Sequence, residues 1–515
     1  MEVKIEKLDI VKISFLAFAL IGFSLWLQGD IGLNLADEGY LWYGAVHTAA
    51  GKVPLKDFQS YDPGRYYWVA AWTYLLGNGI MAVRYSAGIF AAIGLTFGLL
   101  AARRAVSSYW QLLLVGVLLL VWIYPRHKFV EPAMAMSAVF FGIRLIEKPS
   151  LLRHFSAGAF VGIAAFFGRN HGLYGFLAYT LLILFIFFQE DHGGLIKRYF
   201  VFLSGVITGY SPMLIMMLCV PGFLDKLLES ITLLFKWGHT NLPLPVPWPW
   251  SVDYTSLTLL QGSSKFLTGV FFLLMPVFLL FSFAGQLIIR ENMQKRALLI
   301  SSTLVGIFYM HYAFSRADFG HLSQGFHPFL LGIISLPSSF GVGGRKTVLP
   351  AIIAGILLMT YFTAAMASPY FDRQRAPEAG FVQVEVLRDN LWLPKRQAQE
   401  IDNIKLIVAE KVKPDEGLLI APHWPAMYSL LNRESPLWEI YFVIPAPEEL
   451  QLTEILALKK KNVRWAIIGD VRLDGRDDLR FRNTHNLVWQ YLMAEFTLVN
   501  VHGLPDNYQL LHRTL

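Results

Sequence analysis

The chain has 515 residues, of which 55% are hydrophobic and only 16% charged. Soluble domains carry roughly 25% charged residues, and several apolar runs here approach the ~20 residues that cross a bilayer, so a soluble protein is excluded and a polytopic membrane protein expected. The net charge of +7 comes from Lys and Arg held largely in short loops, which points to membrane orientation rather than nucleic acid; the single Cys219 excludes an intrachain disulfide or a cysteine metal cluster.

The first apolar run, Ile13 to Leu27, follows Lys4, Lys7 and Lys12 and has no small-residue cleavage pattern before Asp30, so it is expected to be an uncleaved span. Taking apolar runs as spans gives eleven segments: 13–29, 80–101, 108–124, 132–146, 156–168, 173–189, 199–220, 266–289, 297–314, 324–340 and 348–367. Threaded alternately, they leave positive pairs in the loops of one side: Arg103 and Arg104; Lys148 and Arg153; Lys197 and Arg198; Arg290, Lys295 and Arg296; Arg345 and Lys346. The positive-inside rule makes that side cytoplasmic. The expected location is a cell (inner) membrane, with the N-terminus inside and Asp37 and the C-terminal part outside.

Residues 30–79 form the first outer loop. It opens with Asp37-Glu38, and Tyr40, Leu41, Tyr43, Gly44 and His47 follow near helical spacing. Tyr66 to Leu76 is a second aromatic-rich run, too short to span, and both runs suit interfacial helices. Asp62-Pro63-Gly64 supplies a turn between them. Carboxylates where a span reaches its far surface suggest a functional site. Asp37 reads equally as a general base or as the N-cap of its own helix.

Further outer turns carry cations. Arg126, His127 and Lys128 precede Glu131-Pro132; Arg169 lies in Gly168-Arg169-Asn170-His171-Gly172; Arg316, Asp318 and His321 fall within six residues. These cations are candidates to bind phosphate. The bland readings are headgroup snorkelling for Arg126 and Lys128, a helix-start acid for Glu131, and a turn-capping salt bridge for Arg316 and Asp318. The outer segment 221–265 holds an amphipathic helix with Phe223, Leu227, Ile231 and Leu234 on one face, then Pro243, Pro245, Pro247 and Pro249, which force an extended wall. From about 370 the charges become dense, and strand-like runs (417–421, 465–468, 496–501, 508–512) alternate with helical ones (398–411, 450–460, 485–495), an extracytoplasmic α/β domain whose last two strands form a hairpin. The expected division is 1–369 and 370–515. Gly341-Val342-Gly343-Gly344 has no strand before it and falls on the cytoplasmic side, so no nucleotide loop is expected.

With these residues in view, the chain resembles the GT-C glycosyltransferases of the protein O-mannosyltransferase and aminoarabinose-transferase type, polytopic enzymes that use polyprenyl-phosphate sugars. Asp37-Glu38 resembles the family's acidic signature, Glu131-Pro132 its second acidic site, Gly162 to Gly175 its basic residue beside a Gly-rich span, and Arg316, Asp318 and His321 an Arg-x-Asp-x-x-His turn. Glu131 stands where Asp is more usual and Arg169 where Lys is common. The resemblance implies sugar transfer from a polyprenyl-phosphate donor to an acceptor hydroxyl on a glycan, lipid or protein, with inversion. Asp37, Glu38 and Glu131 are then the catalytic carboxylates, and Arg126, His127, Lys128, Arg169, Arg316 and His321 the donor-phosphate ligands. Tyr40, Tyr61, Asp62, Arg65 and Asp318 position the acceptor or the loop. No cofactor is required, although the superfamily admits a divalent cation; His321 and His327 are a weak hint of a metal, and the sequence does not require one. A flippase or transporter, a non-catalytic lipid-binding relative and a surface-glycan ligase or polymerase are the alternatives. One-sided ionisable clusters and unmatched halves weigh against the transporter, and the terminal α/β domain against the ligase.

Overall fold

The computed structural model describes residues 6–190, 194–238, 241–289, 292–340, 345–364 and 380–513. Arg290, the glycine run 341–344 and the boundary expected at 369/370 lie outside the described residues. Helices α1 (Lys7–Gln28), α2 (Asp37–Ala49), α3 (Pro63–Leu76), α4 (Ile80–Ala102), α5 (Tyr109–Val121), α6 (Val130–Glu147), α7 (Leu151–Phe167) and α8 (Arg169–Glu190) come first. They are followed by α9 (Leu195–Gly209), α10 (Ser211–Cys219), α11 (Phe223–Trp237), α12 (Leu259–Ile288), α13 (Ala297–Ser315), α14 (Phe319–Gly325), α15 (His327–Ser339) and α16 (Arg345–Ala364). The remainder alternates strands and helices: β1 (Phe381–Val386), β2 (Asp389–Pro394), α17 (Lys395–Lys411), β3 (Leu418–Ala421), α18 (Pro425–Leu430), α19 (Glu448–Lys460), β4 (Trp465–Gly469), α20 (Phe481–Thr484), α21 (Asn486–Glu495), β5 (Thr497–Val499) and β6 (Tyr508–His512).

Within the described residues each of the eleven expected spans falls largely on helix, as an apolar segment must when lipid offers its backbone no partners. Among the described residues seven helices are long and apolar enough to cross a membrane, and an eighth forms if α9 and α10, bent by 54°, count as one. The helices α5, α7 and α15 run 13, 17 and 13 residues.

Two compact units result. One, the helical unit, comprises residues 1–29, 84–216 and 243–375; the other, the mixed unit, comprises 30–83, 217–242 and 376–515. In the helical unit, α7 and α9 meet through Gly158 and Gly162 on one side and Gly205 and Gly209 on the other, where a Cβ would strike the facing backbone. Small residues four apart are the device by which helices approach closely without a hydrophobic drive. Where α1 starts, Asp9 lies 3.7 Å from Arg103 at the close of α4, and Arg104 pairs with Glu147 at 3.0 Å. Where α1 ends, Arg84 at the start of α4 donates to the Gly29 carbonyl at 2.7 Å. Thus α1 and α4 run antiparallel, and the basic loop residues Arg103, Arg104 and Arg198 (which donates to the Pro149 carbonyl) cluster as the threading requires.

In the mixed unit a four-stranded sheet has the order β3-β4-β6-β5, with β3 and β4 parallel and the other pairs antiparallel. The expected closing hairpin is therefore present. Its core, with Leu419, Phe442, Leu458, Ile468, Leu492 and Leu511, lies beneath α19 and α21. The hairpin β1–β2 was not read from the sequence. It extends to Asp30 and Gly32: Trp392 donates to the Asp30 carbonyl and accepts from the Gly32 amide, both at 2.8 Å. The loop after the first span is thus stitched into this sheet-bearing unit. Gln397 donates to the Leu33 carbonyl at 2.7 Å, and Trp438 donates to that of Leu55 at 2.9 Å.

One expectation is corrected by burial. Residues 38–45 of α2 are all buried, whereas an interfacial helix leaves a broad side to lipid. It is a core helix of the mixed unit. By contrast, α3 leaves Tyr67, Tyr74, Leu75 and Leu76 exposed, as an interfacial helix should. The amphipathic α11 and the extended proline run both form, with Trp248 and Trp250 stacked at 5.6 Å.

Candidate functional site

The acidic pair sits at the head of α2. Asn34 Oδ1 accepts from the amides of Ala36 and Asp37, both at 2.9 Å, so Asn34 supplies the capping oxygen. Asp37 is the first helical residue, not the N-cap, which removes the structural role weighed against the base. Glu38 points inward, 2% exposed, and its Oε2 accepts from the Asn34 amide at 3.4 Å. The two carboxylates therefore divide, one half-buried and one in the core.

Aromatic rings line this turn. Tyr40 meets Tyr61 edge-on at 5.2 Å and Tyr441 at 5.8 Å, and the Arg65 guanidinium lies over the Tyr61 ring at 4.7 Å. Asp62 stands at the N-cap position of α3 and is buried, as is Arg65. Tyr40, Tyr61, Asp62 and Arg65 are thus brought into one neighbourhood in the mixed unit.

His423, overlooked in the sequence, joins them from the turn after β3. Its ring lies 6.2 Å from that of Tyr441, and its Nε2 is buried without a hydrogen bond. Burial lowers the imidazole to about 4, while the charges of Asp37 and Asp474 pull it back up. At neutral pH an uncharged imidazole therefore lies within electrostatic reach of Asp37. The only signal in sequence was Pro422-His423-Trp424-Pro425, a turn with a histidine fixed between prolines.

The other candidate residues belong to the helical unit. Arg126, His127 and Lys128 form one 3₁₀ turn, and Glu131 falls in the first turn of α6, 3% exposed. Arg126 Nη1 lies 3.4 Å from the carbonyls of Gln28 and Gly29, the open end of α1, where a cation complements the helix dipole. Beside it is a small, partly open pocket. Its walls include Ile21, Leu25, Ala91 and Leu120, and its polar lining includes Arg84 and Arg126. Arg84, 2% exposed, was not selected from the sequence because it lies within an apolar run.

Arg316, Asp318 and His321 do converge. Arg316 Nε donates to Asp318 Oδ2 at 2.9 Å; Asp318 Oδ1 accepts from the His321 amide at 2.8 Å and lies 2.9 Å from its Nδ1. Burial alone would raise the Asp318 carboxyl, but the His321 contacts and Arg316 outweigh it and hold the pKa below its ordinary value. Asp318 caps α14, so the turn-capping salt bridge is formed. Phe319 packs on Tyr124 at 5.3 Å, which brings this turn beside the one carrying Arg126. Arg169 opens α8. Two residues on, His171 is buried and bonded to the Tyr309 phenol at 3.1 Å.

A third cluster was invisible to sequence reasoning. Glu439, Glu454 and His485 of the mixed unit converge in the protein interior. Burial raises the Glu439 carboxyl to about 8 and Glu454 well above its ordinary value, and lowers His485 to about 4. The clue lies on α19, which buries Gln451 and Glu454 while Leu452 and Leu456 are 48% and 66% exposed. That face is polar inward, the reverse of the usual pattern.

Neither a protein-family model nor a curated protein sequence matches the chain. Among solved structures it is similar to ArnT from Cupriavidus metallidurans bound to undecaprenyl phosphate, with a TM-score of 0.53 and 13% identity over 98% of this chain and 97% of that one. Against the same protein in the apo state the TM-score is 0.53 at 14% identity, covering 96% of each chain. The chain therefore shares its fold with this protein over nearly the whole length of both, as expected from the resemblance in its motifs.

Proposed function

We propose that this protein is an integral-membrane glycosyltransferase that moves a sugar from a polyprenyl-phosphate donor to an acceptor hydroxyl at the extracytoplasmic face. The observation that carries this reading is the match of fold, over nearly the whole length of both chains, to a membrane protein captured with undecaprenyl phosphate. The charged residues support it. Asp37 heads a helix whose cap is supplied by another side chain, leaving its carboxylate for chemistry. The cavity lined by Arg84 and Arg126 has apolar walls for a prenyl chain and cations for a phosphate.

In the proposed reaction Asp37 takes the proton of the acceptor hydroxyl as its oxygen attacks the anomeric carbon. The bond from that carbon to the phosphate oxygen breaks, and polyprenyl phosphate leaves with the electron pair, inverting the centre. Within the helical unit, Arg126 and Arg84, with Lys128, Arg169 or Arg316, are the cations offered to a polyprenyl phosphate; one preorganised donor of this kind is worth about 3–4 kcal/mol of barrier in another enzyme class. Tyr40, Tyr61 and Arg65 shape the acceptor side. The basic loops support a cytoplasmic N-terminus.

The test is transfer by purified protein, wild type beside Asp37→Asn, against a panel of polyprenyl-phosphate sugars with candidate acceptors. Activity with one donor that is lost in the variant supports the reading and identifies the sugar. Equal activity in a correctly inserted Asp37→Asn protein removes Asp37 from the mechanism. Absence of polyprenyl-phosphate binding by the folded wild type overturns the function.

A further inference from the structure

The Glu439, Glu454 and His485 cluster has no part in the proposed transfer, yet it buries three ionisable groups together inside the mixed unit. The three side chains come from separate places: Glu439 from the loop after α18, Glu454 from the middle of α19, and His485 from the junction of α20 and α21. Their relative exposures are 1%, 3% and 0%. One ligand atom from each lies within 4.8 Å of the others. The rings of Phe442 and Phe481 flank His485 at 5.1 and 5.3 Å. Two carboxylates in such surroundings need a compensating charge or bound protons.

Hydrogen bonding does not supply that compensation. Both oxygens of Glu454 are buried and without a hydrogen bond. His485 Nε2 is 3.4 Å from Glu439 Oε2, whereas a charge-assisted bond between such groups closes to about 2.7–2.9 Å. A separation of about 3.4 Å is instead the edge of a tetrahedron whose centre lies 2.0–2.2 Å from N and O ligands, the bond lengths of zinc. The outer side of the imidazole is also fixed. Nδ1 is 3.0 Å from the Thr484 hydroxyl, which can donate in turn to the Phe481 carbonyl. That relay holds the proton on Nδ1 and leaves the Nε2 lone pair directed at the carboxylates, the outer-shell arrangement of metal-bound histidines.

We infer that Glu439, Glu454 and His485 bind one divalent transition cation of the zinc class. Glu439 and Glu454 each contribute a carboxylate oxygen and His485 its Nε2, three protein donors in a buried centre, and a water completes four-coordination. Two carboxylates and a neutral imidazole balance a charge of two. The nitrogen ligand favours zinc-like ions over magnesium or calcium. The ion ties the loop that carries Tyr441 to α19 and α21, and Tyr441 is the ring that touches both Tyr40 and His423. Its role is therefore structural, bracing the wall of aromatic rings around the Asp37 turn within the mixed unit.

The test uses the full chain in detergent, stripped with a chelator and reloaded with Zn²⁺ or Co²⁺ alone, then desalted. One metal equivalent per chain is expected, with the visible absorption of four-coordinate Co²⁺ and a raised unfolding midpoint. Glu454→Gln and His485→Ala should each lose that equivalent and the spectrum, while Asp37→Asn keeps both. Monodispersity by size exclusion identifies variants that have failed to fold; for those, the wild-type Co²⁺ spectrum, which reads ligand number without any substitution, decides. A folded wild type that takes up no stoichiometric metal, an octahedral all-oxygen Co²⁺ spectrum, or unchanged metal content in folded Glu454→Gln and His485→Ala overturns the assignment.

Discussion

Gly39 of α2 and Ala426 of α18 touch so closely that a Cβ on Gly39 would lie 2.5 Å from the Ala426 Cβ and 2.6 Å from its backbone nitrogen. The Ala426 amide also donates to the Leu35 carbonyl at 3.1 Å. The helix headed by Asp37 is therefore seated directly on the element that follows His423. Neither contact partner is a flexible side chain that can move aside.

A Gly39→Val substitution should force the two helices apart. Overpacking of this kind costs about 1–3 kcal/mol, read as a lowered unfolding midpoint. Because Asp37 is two residues away, turnover should fall more than the stability loss alone explains at temperatures where the variant remains folded. Wild-type stability in a folded Gly39→Val protein would mean the contact is not as tight as described.

Asp37→Asn keeps the size and position of the side chain but removes the base. With Asn34 supplying the cap, folding should be unaffected. Transfer should fall by about a hundred- to ten-thousand-fold, the range for a lost general base. Measuring transfer beside an unfolding curve separates the two effects.

Arg126→Ala should weaken binding of polyprenyl phosphate by about 1.5–3 kcal/mol, the contribution of a hydrogen bond to a charged group. Arg316→Ala should lower donor affinity or turnover and also release Asp318 from its salt bridge. Binding of the labelled carrier lipid, titrated for each variant, distinguishes a direct phosphate contact from a loosened turn. A normal donor affinity together with a normal rate in Arg316→Ala would exclude Arg316 from the site.

The buried His423 should make stability depend on pH. Its pKa is about 4 in the folded protein against 6.5 when free, so between these values the unfolded chain binds more protons than the folded one. Stability should therefore decline as pH falls from about 6.5 toward 4, by up to about 3 kcal/mol, and stay flat above 6.5 with respect to this group. His423→Gln should show a shallower decline over that window. An identical pH profile in the variant would place the proton uptake elsewhere.

Seven or eight of the eleven spans, the amphipathic α11, the proline wall and the closing hairpin were legible in the chain because each rests on local chemistry. Apolar runs in lipid must satisfy their own backbone, and four prolines between 243 and 249 cannot be helical. The cationic turns were legible for the same reason, and Arg316, Asp318 and His321 meet because they are only five residues apart from end to end. Arg84 escaped because a lone cation inside an apolar run looks like tolerance, not purpose, until the end of α1 is seen beside it.

What the sequence determined by itself is a polytopic helical protein with an α/β region and carboxylates and cations in its connecting turns. Tertiary structure alone decided that α2 is a core helix, that Asn34 caps it in place of Asp37, and that His423 comes within electrostatic reach of Asp37. It also decided that Glu439, Glu454 and His485 converge across 46 residues of chain. The physical reason is range. Helix and turn formation follow from neighbours a few residues away, whereas burial of a polar face such as Gln451 and Glu454 on α19 depends on partners that no local pattern specifies.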